Sequence, residues 1–248
     1  MKIKTTVVLS SMLLILGSCS KESASDEFEQ ANGKVAEKLM TRMDVLSAQD
    51  QSENASLFIN YDSKNRVSSF NNGTDSNILV YEDDQLSTIS GGSEPFRTSE
   101  LYQMPYDIFQ FGEVVDYDSN KNPSIIRLLE EDYEGNIYEF MVDITYDPTP
   151  NPFFYTLKAA GIIDVLDGVQ FNISMSPQSP DLIQARKLLA LNNIKQIVVT
   201  DVERSEITFQ LVADYVYDED DYPTSATFTT VTADSGTNVY SKKYTYKQ

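Results

Sequence analysis

Strict alternation of apolar and polar positions marks three long stretches of the chain. Tyr138, Phe140, Val142, Ile144 and Tyr146 interleave with Glu139, Met141, Asp143 and Thr145. Ile207, Phe209, Leu211, Ala213, Tyr215 and Tyr217 repeat the pattern, and Tyr240, Lys242, Tyr244 and Tyr246 carry it to the end of the sequence. A period of two places alternate side chains on opposite faces of a strand, so these stretches predict antiparallel strands with one packed and one wet face. Turn chemistry separates them at Asn71-Asn72-Gly73, Gly91-Gly92, Glu134-Gly135-Asn136 and Ser235-Gly236.

Two regions depart from that period. Val35, Leu39, Met43 and Leu46 recur at spacings of four and three, with Glu29, Lys34, Glu37, Lys38 and Arg42 off the stripe. This predicts a helix over about 27–48, weakened early by Gly33. A second helical region is expected over about 150–195. There Ser179-Pro180-Asp181 offers a cap, a first-turn proline and an acid, followed by Leu182, Ile183, Arg186, Leu189 and Ala190 and a stop at Asn192-Asn193. The ambiguous stretch 153–167 is read as a short helix. The expected fold is mainly β: an antiparallel meander of hairpins with an N-terminal helix and a short helical insertion, forming one domain over 28–248.

A degenerate unit recurs through this domain: a strand ending in tyrosine and an acid, a tight polar turn, and a return strand. It occurs at 60–67 (Tyr61-Asp62), 80–86 (Tyr81-Glu82), 116–123 (Tyr117-Asp118), 145–148 (Tyr146-Asp147) and 216–223 (Tyr217-Asp218). The tyrosine ring suits a pleated surface with its hydroxyl near the edge, and the acid can start a turn by accepting backbone N–H groups two residues on. These units resemble the Tyr-Asp hairpins of YD-repeat-like β-proteins. With the N-terminal features below, the Pro150-to-Phe153 stretch and the closing Tyr-x-Tyr strand, the chain resembles a group of Bacteroidota lipoproteins. The resemblance runs from Cys19 to Tyr246 and implies fold more than function; it carries no catalytic residues. Asn65, Asn122 and Asp221 stand where that pattern usually has a turn glycine.

The first 19 residues read as an address. Lys2 and Lys4 precede twelve apolar-rich residues, Thr5 to Leu16, too few to span a ~30 Å hydrocarbon core but suited to a signal peptide. Leu16-Gly17-Ser18-Cys19 matches the lipobox at which a peptidase cuts before a diacylglyceryl cysteine. The expected organisation is a lipoprotein signal peptide at 1–18, then lipidated Cys19 with a flexible acidic tether over 19–27. Lipid is then the expected membrane attachment, on the outer membrane, with the cell surface favoured over the periplasmic face.

Composition narrows the chemistry. The chain has 248 residues, 19 Lys+Arg against 38 Asp+Glu, no histidine and one cysteine. A formal charge of −19, or −21 once Lys2 and Lys4 are removed, disfavours nucleic-acid phosphates as a partner. Without histidine there is no Ser-His-Asp or Cys-His dyad and no imidazole acid-base. If Cys19 is lipidated, no free thiol remains. Paired carboxylates are then the available acid-base machinery, densest at Glu130-Glu131-Asp132 and 218–221, and two such groups suffice for glycoside hydrolysis. Asp118-x-Asn120-x-Asn122 has alternate oxygen donors that suit calcium, but lacks the glycine and bidentate glutamate of an EF-hand loop. Turn propensity explains the same residues without metal. The resulting expectation is a non-catalytic envelope lipoprotein, a binding or structural module with a protein or glycan partner and no required cofactor. A carboxylate-only hydrolase of glycosidase type is the alternative.

Overall fold

The structure, a computed structural model, describes residues 22–92, 94–103, 105–174, 179–233 and 236–248. Residues 1–21, with the lipobox Leu16, Gly17, Ser18 and Cys19, lie outside the described residues. Helix α1 (Ala24–Asn32) opens on a capping box between Ser23 and Asp26 and closes at Gly33 with φ 68°. A first meander follows: β1 (Met40–Ser47), β2 (Ala55–Tyr61), β3 (Val67–Asn71), β4 (Ser76–Glu82), β5 (Gln85–Ser90) and β6 (Phe96–Arg97). A 3-10 helix at Thr98–Tyr102 and β7 (Tyr106–Asp107) lead to β8 (Gly112–Tyr117), β9 (Pro123–Glu131) and β10 (Ile137–Pro150). Next come α2 (Phe154–Ala159), α3 (Ile162–Gly168), β11 (Gln170–Asn172) and β12 (Leu182–Gln184). The chain ends with β13 (Asn192–Asp201), β14 (Glu206–Tyr217), β15 (Pro223–Thr232) and β16 (Gly236–Tyr246).

Thirteen of these strands form one sheet in the order β6-β5-β4-β3-β2-β1-β16-β15-β14-β13-β10-β9-β8. Every neighbouring pair in it is antiparallel, so the expected meander is what the chain builds. The first and last long strands join its two halves, with Met43 opposite Tyr244 and Val45 opposite Lys242. Strands β6 and β8 are the two free edges, and residues 98–111 carry the chain from one to the other. On the way, β7 pairs in parallel with β11, which pairs with β12.

The helices cover one face of the sheet. Ala160, Val165 and Val169 share a core with Ile59, Leu79 and Leu86 of the first half and with Ala213, Phe228 and Tyr244 of the second. A second core holds α1: the Phe28 ring stacks on Phe154 with centroids 3.8 Å apart, and both side chains are fully buried. Burying one such ring is worth about 2–3 kcal/mol. The tyrosines read as core residues tie strands together by their hydroxyls. Tyr61 donates to the Met40 carbonyl (2.6 Å), Tyr81 to Val67 (2.6 Å), Tyr146 to Pro123 (2.7 Å) and Tyr246 to Pro223 (2.8 Å). Each accepting carbonyl belongs to the first residue of a neighbouring strand.

The acid of the repeated unit does build its turn. In the turns starting at Asp62, Asp118, Asp132 and Asp218, the aspartate N–H donates to the carbonyl four residues on. The aspartate carbonyl accepts from the N–H three residues on. The carboxylate accepts N–H groups two and four residues on, at 2.8–3.1 Å. The fourth residue has positive φ in every case: Asn65 63°, Lys121 66°, Gly135 86° and Asp221 62°. At the second of these turns the left-handed residue is therefore Lys121, not Asn122. The β4–β5 turn is different, with Asp83 and Asp84 both at positive φ in a two-residue connection.

Four expectations change. The helix over 27–48 is only α1, and its distal part is β1. A bulge between Met40 and Arg42 lets Met40 and Met43 point the same way three residues apart, imitating a helical spacing. Part of the tether read over 19–27 is structural, since Ala24 and Glu27 are buried in α1. The cap at Ser179-Pro180-Asp181 starts no α-helix. Residues 182–184 pair with β11 and 185–188 form a 3-10 helix, while the short helix expected within 153–167 appears as α2 and α3. Finally, Tyr146-Asp147-Pro148 makes no hairpin: β10 runs through it with irregular register against β13.

Candidate functional site

The calcium candidates form a hydrogen-bonded lock. Asp118 Oδ1 accepts the N–H groups of Asn120 and Asn122 (both 2.9 Å), and its Oδ2 accepts Asn122 Nδ2 (3.0 Å). Asn122 is fully buried, and its Oδ1 accepts the N–H of Leu191 (2.6 Å) and of Asn192 (3.2 Å). Asn192 in turn receives Asn120 Nδ2 and donates to Asn32 Oδ1. The oxygens of Asp118 and Asn122 are thus engaged by the chain's own donors. The network ties the β8–β9 turn, the end of α1 and the start of β13 together. Among the described residues no group of three or more His, Cys, Asp or Glu side chains is placed to hold a metal ion.

The two dense acid clusters do not meet. Glu130-Glu131-Asp132 lies at the β9–β10 turn, while Asp218 to Asp221 lie at the β14–β15 turn. From the first turn β10 crosses the sheet, β13 returns, and β14 crosses again, which places the second cluster at the opposite end. Lys38 Nζ lies 2.7 Å from both Asp218 and Asp220, so those carboxylates anchor the segment after α1.

A different region forms a cavity of about 740 Å³ between the β4–β5 hairpin, the 98–102 helix and α3. Each wall has a local cause. The type of turn at Asp83-Asp84 brings Glu82 and Gln85 opposite one another, and Asp84 is held by Lys64 (2.6 Å) and Arg66 (2.9 Å). Thr98 Oγ1 donates to the carbonyl of Leu86 (2.7 Å), fastening the 98–102 segment onto β5. Gly161 opens α3 at φ 73°, where a Cβ would lie 3.0 Å from Leu86 Cβ; glycine permits both the turn and the close approach. At the far end of α3, a Cβ on Gly168 would come 2.5 Å from the Tyr102 ring, so this glycine seats the tyrosine. Tyr102 stays half exposed, and burial together with the charge of Asp164 pushes its hydroxyl up from the usual phenol value.

The lining is polar: Arg97, Asp164, Glu82, Thr88, Ser99 and the Tyr102 hydroxyl. It offers carboxylate acceptors, hydroxyls of both kinds, one guanidinium and one aromatic ring. Such a set can hydrogen-bond a polyhydroxylated or peptide-like ligand and stack against one apolar face of it. The sequence gives little notice of this site. Its residues come from three separated elements in regions without strong periodicity, and chain topology alone brings Arg97, Tyr102 and Asp164 together.

No protein-family model matches the chain, and no curated protein matches it. Among solved structures, a porin-like protein from Bacteroides vulgatus is 8% identical, with a TM-score of 0.42 over 85% of this chain and 99% of that one. A LolA superfamily protein from Nitrosomonas europaea is 12% identical, with a TM-score of 0.27 over 90% of this chain and 91% of that one. No helix among the described residues is long and apolar enough to cross a membrane.

Proposed function

We propose that this protein is a lipid-anchored envelope protein that acts as a non-catalytic binding module, with its ligand in the groove between the β4–β5 hairpin and α3. The lipobox ending at Cys19 supports the anchor, and the position of α1 supports close attachment to the bilayer. Glu22 pairs with Lys121 at 2.6 Å, so the three chain steps from Cys19 to Glu22 reach about 10 Å at most. The β8–β9 turn end of the sheet then faces the membrane.

The observation that carries the binding reading is the groove itself: about 740 Å³, open, hydroxyl- and carboxylate-lined, with Tyr102 at its end. Its chemistry favours a glycan-type ligand over an apolar one. The test is calorimetric titration of the folded domain with a panel of neutral oligosaccharides, alongside Tyr102→Ala and Asp164→Asn. The reading expects saturable binding, a loss of at least tenfold in both variants, and no release of new reducing ends. Undiminished binding in both variants, or no binding across the panel, would contradict the groove; growing reducing ends would contradict the non-catalytic part.

A further inference from the structure

Lys242 occupies an unusual place for a lysine in so acidic a chain. It sits on the helix-covered face of the sheet, opposite Val45 on one side and Ala226 on the other, at the seam between the two halves. Its ammonium lies 4.0 Å above the centroid of the Phe228 ring. Among the described residues it has no carboxylate within ion-pair distance and no hydrogen-bond partner, although the sequence holds 38 acids. The side chain is half-buried, and that partial burial pushes its ammonium below the usual lysine value.

Beside it lies a cavity of about 180 Å³, walled by Phe153, Ile194, Tyr215 and Phe228. Ala226, which stands opposite Tyr215 on one side and Lys242 on the other, brings little side-chain volume to this face. Tyr244 also lines it, and its hydroxyl makes no hydrogen bond among the described residues. Tyr215 differs, since its hydroxyl is spent on the Ile194 carbonyl at 2.8 Å. The cavity is therefore lined by two donors without a protein partner, one of them cationic, beside the aromatic rings and the side chains of Asn151, Asn192 and Asn193. A charge partly withdrawn from water is ordinarily paired, and a π face compensates only part of the lost hydration.

We infer that this cavity is a binding site for a small organic anion, a carboxylate on a compact apolar body, received by Lys242 and Tyr244. The carboxylate supplies the missing counter-charge and accepts from both donors, while the body fills the space against Phe153 and Phe228. The site is separate from the groove at Tyr102 and stands without the function assigned there.

Benzoate is the probe, titrated into the folded domain and followed by calorimetry and by the ¹⁵Nζ resonance of Lys242. Saturable binding with a shift of that resonance is expected, at least tenfold weaker in Lys242→Met and several-fold weaker in Tyr244→Phe. Without ligand, Lys242→Met is expected to melt at or above the parent temperature, because an unpaired charge has gone. Tyr102→Ala is expected to bind benzoate as the parent does, which separates this site from the groove. Absence of saturable binding, or equal affinity in Lys242→Met, overturns the inference. If Lys242→Met does not fold, an unmoved Lys242 resonance in the parent at saturating benzoate overturns it equally.

Discussion

Arg186 Nη1 lies 3.1 Å from Glu27 Oε2, and both side chains are only 5% exposed. Glu27 also meets Lys187 at 2.6 Å and Lys121 at 3.6 Å, so one carboxylate from the first turns of α1 balances three cations. Arg186 keeps a weaker contact with Asp167 at 3.4 Å. Removing one partner of a buried pair strands the other, at a cost of about 3–5 kcal/mol. Glu27→Gln is expected near the lower end, about 3 kcal/mol, because Asp167 remains. Urea unfolding measures it, and a loss below about 1 kcal/mol would mean that α1 is peripheral to the fold.

Acid should weaken the hairpins through their aspartates. The Asp132 carboxylate accepts Asn136 Nδ2 (2.8 Å), the Asn136 and Glu134 N–H groups (both 2.9 Å) and the Tyr138 hydroxyl (3.1 Å). Those bonds, the Asn136 side chain foremost, hold its pKa at about 2 against an ordinary 3.8. A carboxyl depressed on folding stabilises the native state fully above its unfolded value and loses that contribution as pH falls through the folded one. Stability is therefore expected to drop between about pH 4 and pH 2, and Asp132→Asn to flatten part of that slope in unfolding curves taken across the range. An identical slope in the variant would show that the turn bonds contribute nothing to the native state.

The left-handed turn positions make a prediction of the opposite sign. Asp221 sits at φ 62° in the most acidic turn of the chain, and glycine takes that conformation without the Cβ penalty. Asp221→Gly is expected to raise stability by about 0.5–1 kcal/mol, while also removing one charge from the 218–221 cluster. Lys121 has the same conformation but pairs with Glu22, so Lys121→Gly should gain less or lose. Thermal melting of the two variants checks both, and a lower melting temperature for Asp221→Gly would contradict the strain argument.

Strand identity was legible wherever burial is one-sided. Strands β10, β14 and β16 alternate because one face meets the helices and the other meets water. The sequence misleads where geometry shifts the period. The helical stripe of Leu39, Met43 and Leu46 is split in the fold: Leu39 precedes β1 and packs on the Phe28 core, Met43 packs on the other core, and Leu46 is exposed. Ser179-Pro180-Asp181 has good capping chemistry, yet Leu182, Ile183 and Gln184 are drawn into pairing with β11, since tertiary pairing overrides a weak local preference. The Asp turns were legible as turns, because Asx chemistry is local. The groove was not, because Arg97, Tyr102 and Asp164 share no local pattern and meet only through the crossing from β6 towards β8. Nor was the isolation of Lys242, since alternation marks its face but not the absence of a partner.

Attachment through Cys19 is the central claim, and intact-mass analysis of the protein purified from membranes of its producing cells tests it most directly. The account predicts a mature chain beginning at Cys19 with the added mass of a diacylglyceryl thioether, and a Cys19→Ala chain that carries no lipid and leaves the membrane fraction. A chain recovered with residues 1–18 still attached, or one cut elsewhere and bearing an unmodified Cys19 thiol, would contradict it.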